Sequence, residues 1–373
     1  MILKKIIRAL PYVFLACVLV CVPLFVFPNL KKEDAPKSPG VQGIVRMWHI
    51  ENFEGGSQSR QQFLLRQMIE FEKKNPGLYV SVQTLTKSQA LDQIEQGVLP
   101  DLVSFGTGVG DIFLNYAQEY QGKLNIRQEF IKAGSQGKKI LAVAYMTGGY
   151  VIVCNSGLAK SMGIDTNNNL IDNIFREGQI YNKGKSVRYS LVSARENNLP
   201  LAAVLKTSAG VFKQNSYFEA QTQFDAYNVF VSQNALMLLG TQRDINRIIN
   251  RVNQNNMFEC DIIYLEGYTD LVQYLAITAQ NEETRQKAQM VIEHLTSVTA
   301  QYAVSQIGMF STDGGNYHAN EMLKKMQNAI NQPIITPNAF ISQDAMDHYH
   351  ELCKRALGGD AQSLKDLKSQ LGL

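Results

Sequence analysis

Residues 44–56, Ile-Val-Arg-Met-Trp-His-Ile-Glu-Asn-Phe-Glu-Gly-Gly, gather side chains suited to holding a hydroxyl-rich ligand. A β-type run ends on Trp48, the sole tryptophan, and breaks into a loop carrying Glu51, Asn52, Phe53 and Glu54 before Gly55 and Gly56. An aromatic ring covers the apolar C–H face of such a ligand while polar neighbours bond its hydroxyls. In open α/β folds such groups sit just beyond the carboxyl ends of strands, where side chains point into a crevice. Position alone suits Trp48 equally well to closing the strand end as a core residue.

Covalent chemistry has less support. Gly106-Thr107-Gly108-Val109-Gly110 lacks the dinucleotide spacing, and no Gly-Lys-Ser/Thr phosphate loop occurs. His348-Tyr-His350-Glu351 is the only local histidine cluster. Helical positions two apart diverge by about 200°, so the two imidazoles do not share a metal easily and a solvated helix face is expected. No Gly-x-Ser-x-Gly elbow appears, and nothing pairs a nucleophile with a base. Glycosidase carboxylates are matched in space rather than in sequence, so Glu51 and Glu54 stay open to that role as well as to loop solubility. Neither a metal nor a cofactor is expected.

The elements that must position these residues are legible. From Ser57 the pattern turns helical, with Phe63, Leu64, Met68 and Phe71 on one face and Arg60, Arg66, Glu70 and Lys73 mostly elsewhere. Asn75-Pro76-Gly77 stops that helix, and Leu78, Val80 and Val82 alternate as a strand. A helix over 87–96 and a strand through Leu102, Val103 and Phe105 complete a βαβαβ unit with parallel strands. Trp48 and Phe105 then end strands on one edge of a sheet. Further on, two apolar runs meet at Met146-Thr147-Gly148-Gly149, a place for the chain to pass between domains with glycines absorbing hinge motion. A loop between two strands of one sheet fits the same pattern. A second crossing falls within Tyr264–Thr278, with a hinge near Ala276, and a third at Ile307-Gly-Met-Phe-Ser311. Between these two lies a helix over Glu282–Thr296, and the tail from Ser342 reads as two helices parted by Gly358-Gly359.

At 373 residues with 45% hydrophobic and 18% charged residues, the chain is globular and long enough for two domains. Lys4, Lys5, Arg8, Lys31 and Lys32 belong to the N-terminal segment; the other 31 basic residues face 33 acidic ones, a balance of −2. That leaves no basic field for nucleic acid. Lys4, Lys5 and Arg8 precede an uncharged run of 19 residues, Ala9 to Phe27, long enough to span a bilayer with the N-terminus in the cytoplasm. No Ala-x-Ala cleavage site precedes Lys31, and Phe14-Leu15-Ala16-Cys17 matches the lipoprotein box weakly, so an uncleaved anchor is expected. Residues 31–42 form a charged, proline-containing tether. The five cysteines give no disulfide framework, and Cys154 reads as a buried strand residue.

Taken in order, Trp48 with the Glu51–Gly56 loop, Phe71-Glu-Lys-Lys-Asn-Pro-Gly77, Pro100-Asp101, Tyr145–Asn155, Met237-Leu-Leu-Gly-Thr-Gln-Arg-Asp244 and Ile307–Ser311 cover nearly the whole chain after the tether. Together they resemble the extracellular solute-binding proteins of ABC transporters, in the sugar-binding group that includes maltose-binding protein. The resemblance implies an α/β, two-lobed periplasmic-binding-protein-like fold, each lobe a sheet flanked by helices, with three crossings and no catalytic activity. Lobe 1 would comprise 43–146 and 277–310, and lobe 2 would comprise 147–276 and 311–373. Carried over residue by residue, Glu51, Asn52 and Phe53 fall in the first contact loop. Phe105, followed by Thr107, falls at an aromatic platform, and Tyr150 lies past the first crossing. Gln242 and Arg243 occupy a second-lobe loop that carries a stacking tryptophan in maltose-binding protein, a departure that disfavours a long malto-oligosaccharide. Tyr268 lies beside the second crossing.

The sequence thus leads to a membrane-anchored, extracytoplasmic, monomeric protein that captures a carbohydrate and delivers it to an ABC permease. Its alternatives are the same fold binding a polyamine or another small solute, a surface sensor without a transporter, and a secreted hydrolase.

Overall fold

The computed structural model describes residues 42–50, 53, 55–166, 170, 189–193, 218–220, 223–357 and 359–371. The expected anchor over 1–30 and all but the last residue of the tether lie outside the described residues, as do Glu51, Asn52 and Glu54. Among the described residues no helix is long and apolar enough to cross a membrane.

The first half opens with β1 (Gly43–Ile50), α1 (Arg60–Lys74), β2 (Leu78–Leu85), α2 (Lys87–Glu95) and β3 (Leu102–Gly106). Helix α1 starts where the Ser59 side chain accepts the Gln62 N–H, and stops where the Asn75 N–H bonds the Phe71 and Glu72 carbonyls. Gly77 then takes a left-handed φ of 95°, which only glycine adopts without strain. Phe63, Leu64, Met68 and Phe71 are buried as the periodicity predicts. Arg60 is buried too, at 2% exposure, because it lies one turn before Leu64 on the same stripe. A capping box between Thr86 and Gln89 starts α2.

The chain continues through α3 (Gln128–Ala133), a short hairpin of β4 (Ser135–Gln136) and β5 (Lys139–Ile140), and β6 (Val143–Thr147). Then come β7 (Tyr150–Asn155), α4 (Ser156–Ser161), β8 (Tyr189–Ser193), β9 (Phe218–Ala220), α5 (Gln223–Val231), β10 (Ala235–Thr241), α6 (Gln242–Asn253) and β11 (Cys260–Tyr264). The last part holds β12 (Val272–Ile277), α7 (Glu282–Leu295), α8 (Val298–Gln306), α9 (Glu321–Ile330), α10 (Gln343–Leu357) and α11 (Ala361–Gln370).

Among the described residues these strands form two five-stranded sheets, ordered β2-β1-β3-β12-β6 and β11-β7-β10-β8-β9. In the first, β1 runs parallel to β2, from Gly43 opposite Leu78 to Ile50 opposite Leu85, and parallel to β3 with Met47 opposite Leu102. Trp48 and Phe105 therefore stand near the carboxyl ends of neighbouring strands. Because β12 enters from the second sheet rather than over a crossover helix, it runs antiparallel to β3 and β6.

Thr147 closes a strand of the first sheet and Tyr150 opens one of the second, so Gly148-Gly149 carries the chain across. That excludes a loop within one sheet. The return crossing, over 265–271, falls within the expected Tyr264–Thr278 but ahead of the hinge expected near Ala276. Residues 272–276, expected in the second lobe, are already strand β12 of the first sheet, and Ala276 is fixed opposite Val103. The third crossing joins the first directly: Thr147 and Phe310 exchange both backbone hydrogen bonds at 2.9 Å. The second joins them through the Gly148 N–H to the Leu271 carbonyl at 2.6 Å, and through Thr269 Oγ1 to the Gly148 carbonyl at 2.9 Å.

Candidate ligand-binding site

The loop after β1 and the first turn of α6 border a cavity of about 400 Å³. Its lining is Phe53, Gly55, Gly56, Ser57, Gln58, Ser59, Arg60 and Arg243. One wall thus comes from an extension of the first sheet and the other from a helix that follows the second.

The loop is held from three sides. The Arg60 guanidinium donates to Gln273 Oε1 at 2.9 Å and to the Phe53 carbonyl, and lies 4.1 Å from the centroid of the Phe53 ring. Ser57 donates its N–H to the Ile307 carbonyl at 2.7 Å. Gly56 lies so close to the backbone of Ile307 and Gly308 that a Cβ there would collide. On the opposite wall, Asp244 Oδ2 accepts the Thr241 N–H at 3.0 Å and Thr241 Oγ1 accepts the Arg243 N–H at 3.3 Å. This capping box fixes where α6 begins and sets Arg243, half-buried, at the cavity.

A buried cation is costly unless hydrogen-bonded, and Arg60 is tied into a polar network across four strands. Gln273 Nε2 donates to Ser104 Oγ at 2.9 Å and to the Ile50 carbonyl at 3.2 Å. Ser104 Oγ in turn lies 3.0 Å from His49 Nδ1 and 2.9 Å from the Tyr145 hydroxyl. The ends of β1, β3, β12 and β6 are thereby locked under the loop.

The residues singled out from sequence fall into three groups. Phe53 and Arg243 share the cavity. Trp48 and Phe105 share a neighbour rather than a cleft: Phe113 meets Trp48 edge-on at 6.5 Å and stacks on Phe105 at 5.9 Å. Phe105 also packs on Tyr274 and Phe340, and both rings are buried, at 3% for Trp48 and 0% for Phe105. Thr107, buried, begins the turn after β3. Tyr150 and Tyr268 come together around Asp270. The Tyr150 hydroxyl donates to Asp270 Oδ1 at 2.6 Å, and burial, helped by the Asp270 charge, pushes the Tyr268 phenol well above its ordinary range. Gln242 is fully buried behind Arg243, with its Oε1 accepting the Gly149 N–H at 3.0 Å.

Sequence reasoning missed Ser57, Gln58, Ser59 and Arg60 in the cavity wall. The signal was a polar run directly after Gly55-Gly56, and an arginine in phase with the buried stripe of α1. His348 and His350 diverge as helical geometry requires, but only His348 faces solvent; His350 is buried, with Nε2 3.7 Å from Asp270 Oδ2. Cys154 is fully buried, as expected.

No family model matches the sequence, and no curated protein does. Solved structures do match along most of the chain. The sugar-binding protein MalE of Xanthomonas citri is 13% identical with a TM-score of 0.65, over 88% of this chain and 96% of that one. The GacH receptor of Streptomyces glaucescens, known unliganded and with acarbose, is 12% identical with a TM-score of 0.61, over 88% and 98%. The galacto-N-biose-/lacto-N-biose I-binding protein of an ABC transporter from Bifidobacterium longum, in complex with lacto-N-biose, is 12% identical with a TM-score of 0.60, over 90% and 99%. At such identities the likeness is one of fold, and the fold of this chain is the one these three proteins share.

Proposed function

We propose that this chain is an extracytoplasmic solute-binding protein, not an enzyme, that captures a carbohydrate between two lobes built on its two sheets. The supporting observation is the cavity bordered by the Phe53–Arg60 loop and Arg243, one wall from each side of the crossings. Closure would bring together contacts that neither lobe offers alone, so ligand favours the closed arrangement. The neighbours' sugar ligands favour a carbohydrate over other small solutes. Delivery to an ABC permease follows the same likeness. Membrane attachment rests on Lys4, Lys5, Arg8 and the apolar run to Phe27.

A thermal-shift screen of the full chain in detergent against neutral and acidic sugars, polyamines and peptides tests the reading. A sugar at a hundred times its Kd adds about 2.7 kcal/mol to the stability. Stabilisation by a polyamine or peptide and by no sugar would refute it.

A further inference from the structure

Ile44 and Tyr79 stand side by side at the amino ends of β1 and β2, opposite each other in the parallel register. Val45 and Val80, next along each strand, turn inward and are buried, so Ile44 and Tyr79 turn out, at 62% and 57% exposure. No large apolar side chain of the described residues is more exposed than Ile44. Val98, 44% exposed, sits before β3 at the same end of the sheet. It lies three residues ahead of Asp101, whose N–H donates to the Arg46 carbonyl at 2.8 Å. A single exposed apolar residue needs no explanation, but three gathered at one end of a sheet point to a partner.

Where the chain enters this end of the sheet says what covers it. Gln42, two residues before Ile44, ends the tether over 31–42, which leads from the uncharged run Ala9–Phe27. A flexible tether of that length spans roughly 20 Å on average and at most about 40 Å fully extended. A bilayer that holds the apolar run therefore stays within that reach of Ile44. An aliphatic side chain beside a tyrosine suits the headgroup level, where one end of the contact is apolar and the other wet. Arg46, two residues along the same face, is already engaged: its Nη2 donates to Asp101 Oδ1 at 2.9 Å and its Nε to Oδ2 at 3.2 Å. The attraction is thus apolar rather than electrostatic. We propose that Ile44, Tyr79 and Val98 rest on the lipid surface that holds the N-terminal segment. This rests on the membrane attachment read above and adds the face that the domain turns to the bilayer. The cavity lies past Ile50, at the other end of β1 and about 20 Å along the strand, and stays open to arriving solute.

The test places the full chain, one copy per disc, in phosphatidylcholine nanodiscs whose acyl chains are brominated near the headgroups. Tyr79→Trp puts a reporter in the patch, Ile44→Trp is a second one should the first not fold, and Val252→Trp marks an exposed site on α6. Relative to unbrominated discs, the patch reporter should lose about half or more of its emission, since contact at headgroup depth brings it against the bromines. The unaltered protein, with buried Trp48 alone, and Val252→Trp should keep theirs. Adding Ile44→Glu to Tyr79→Trp should restore the emission while the protein stays in the disc. Unquenched emission from a patch reporter that co-elutes with discs overturns the proposal and leaves membrane attachment standing. A blue-shifted reporter that bromine does not quench overturns it too, because the tether or another part of the chain then covers the patch. Failure of the full chain to co-elute with discs overturns the attachment itself, and the proposal with it.

Discussion

Gln242, the first residue of α6, is bonded to Gly149 in the first crossing: its Oε1 accepts the Gly149 N–H at 3.0 Å. Its Nε2 faces the Gly55 carbonyl and Met309 Sδ, each at 3.5 Å. One buried amide therefore touches the cavity loop and two of the three crossings. Neighbouring Gly148 is glycine for room rather than for a left-handed φ, since a Cβ on it would lie 2.5 Å from Gln242 Oε1.

Gly148→Ala should therefore destabilise the protein by about 1–3 kcal/mol through overpacking. Gln242→Ala should cost a similar amount by leaving the Gly149 N–H without its acceptor. The double variant should lose less than both together, because truncating Gln242 vacates the space the new methyl needs. Denaturant melts of the four proteins measure the coupling. Strictly additive losses would mean that the Gly148–Gln242 approach is not tight in solution.

Trp48 packs edge-on against Phe113 at 3% exposure. Trp48→Ala should lower stability by about 3–5 kcal/mol, the range for deleting a buried aromatic, rather than weaken binding in an otherwise sound protein. As the sole tryptophan it reports on itself. Its emission should be blue-shifted and poorly quenched by acrylamide, with or without ligand. Free quenching that ligand suppresses would restore Trp48 to the binding surface.

The framework was legible where period and stop signals coincide. The stripe from Phe63 to Phe71 ended by Asn75-Pro76-Gly77 predicted α1, and the apolar runs around Gly148-Gly149 predicted a crossing. The return crossing fell within the expected stretch, but its hinge and the lobe boundary were set too late because Val272–Ile277 reads equally well as a strand of either sheet; only its pairing with Leu102–Gly106 decides. The cavity was half legible. Phe53 and Arg243 stood out by type, but Arg60 was hidden by its charge on a helix whose other buried positions are mostly apolar. Whether Trp48 faces a ligand or Phe113 depends on a ring far along the chain, in a turn that carries no recognisable pattern. Likewise Asp270 and His350 meet across a long sequence separation that nothing local announces.

Burial pushes His318 down to about 4 from its ordinary 6.5, with a partly offsetting bond between its Nε2 and the Met309 carbonyl at 3.0 Å. The folded pKa is the lower one, so the unfolded chain takes up the proton first. The stability of the neutral, buried ring is fully present above pH about 6.5 and is lost as pH falls toward about 4. At roughly 1.4 kcal/mol per unit the total is about 3 kcal/mol. Melts from pH 7.5 to 4 should show this slope, and His318→Gln should flatten it. A slope unchanged in His318→Gln would assign the effect to other groups.

Arg60 decides how firmly the cavity loop is held. It donates to Gln273 Oε1 and the Phe53 carbonyl, so Arg60→Met leaves two buried acceptors without that donor while keeping most of the side-chain volume. Each stranded acceptor costs about 1–3 kcal/mol, and removal of a buried cation's own desolvation cost offsets part of it. The expected net loss is about 1–3 kcal/mol of stability. The larger effect should fall on ligand affinity, because Phe53 and the loop up to Ser59 lose the contact that ties the Phe53 carbonyl and ring to Gln273. Arg60→Lys keeps the charge but lacks the planar fork that serves two acceptors, and should fall between Met and the parent in affinity. Titration at a temperature where all three proteins are folded separates anchoring from stability. An Arg60→Met protein that binds as tightly as the parent would show that the loop is held without Arg60, by contacts such as those of Ser57 and Gly56 with Ile307 and Gly308.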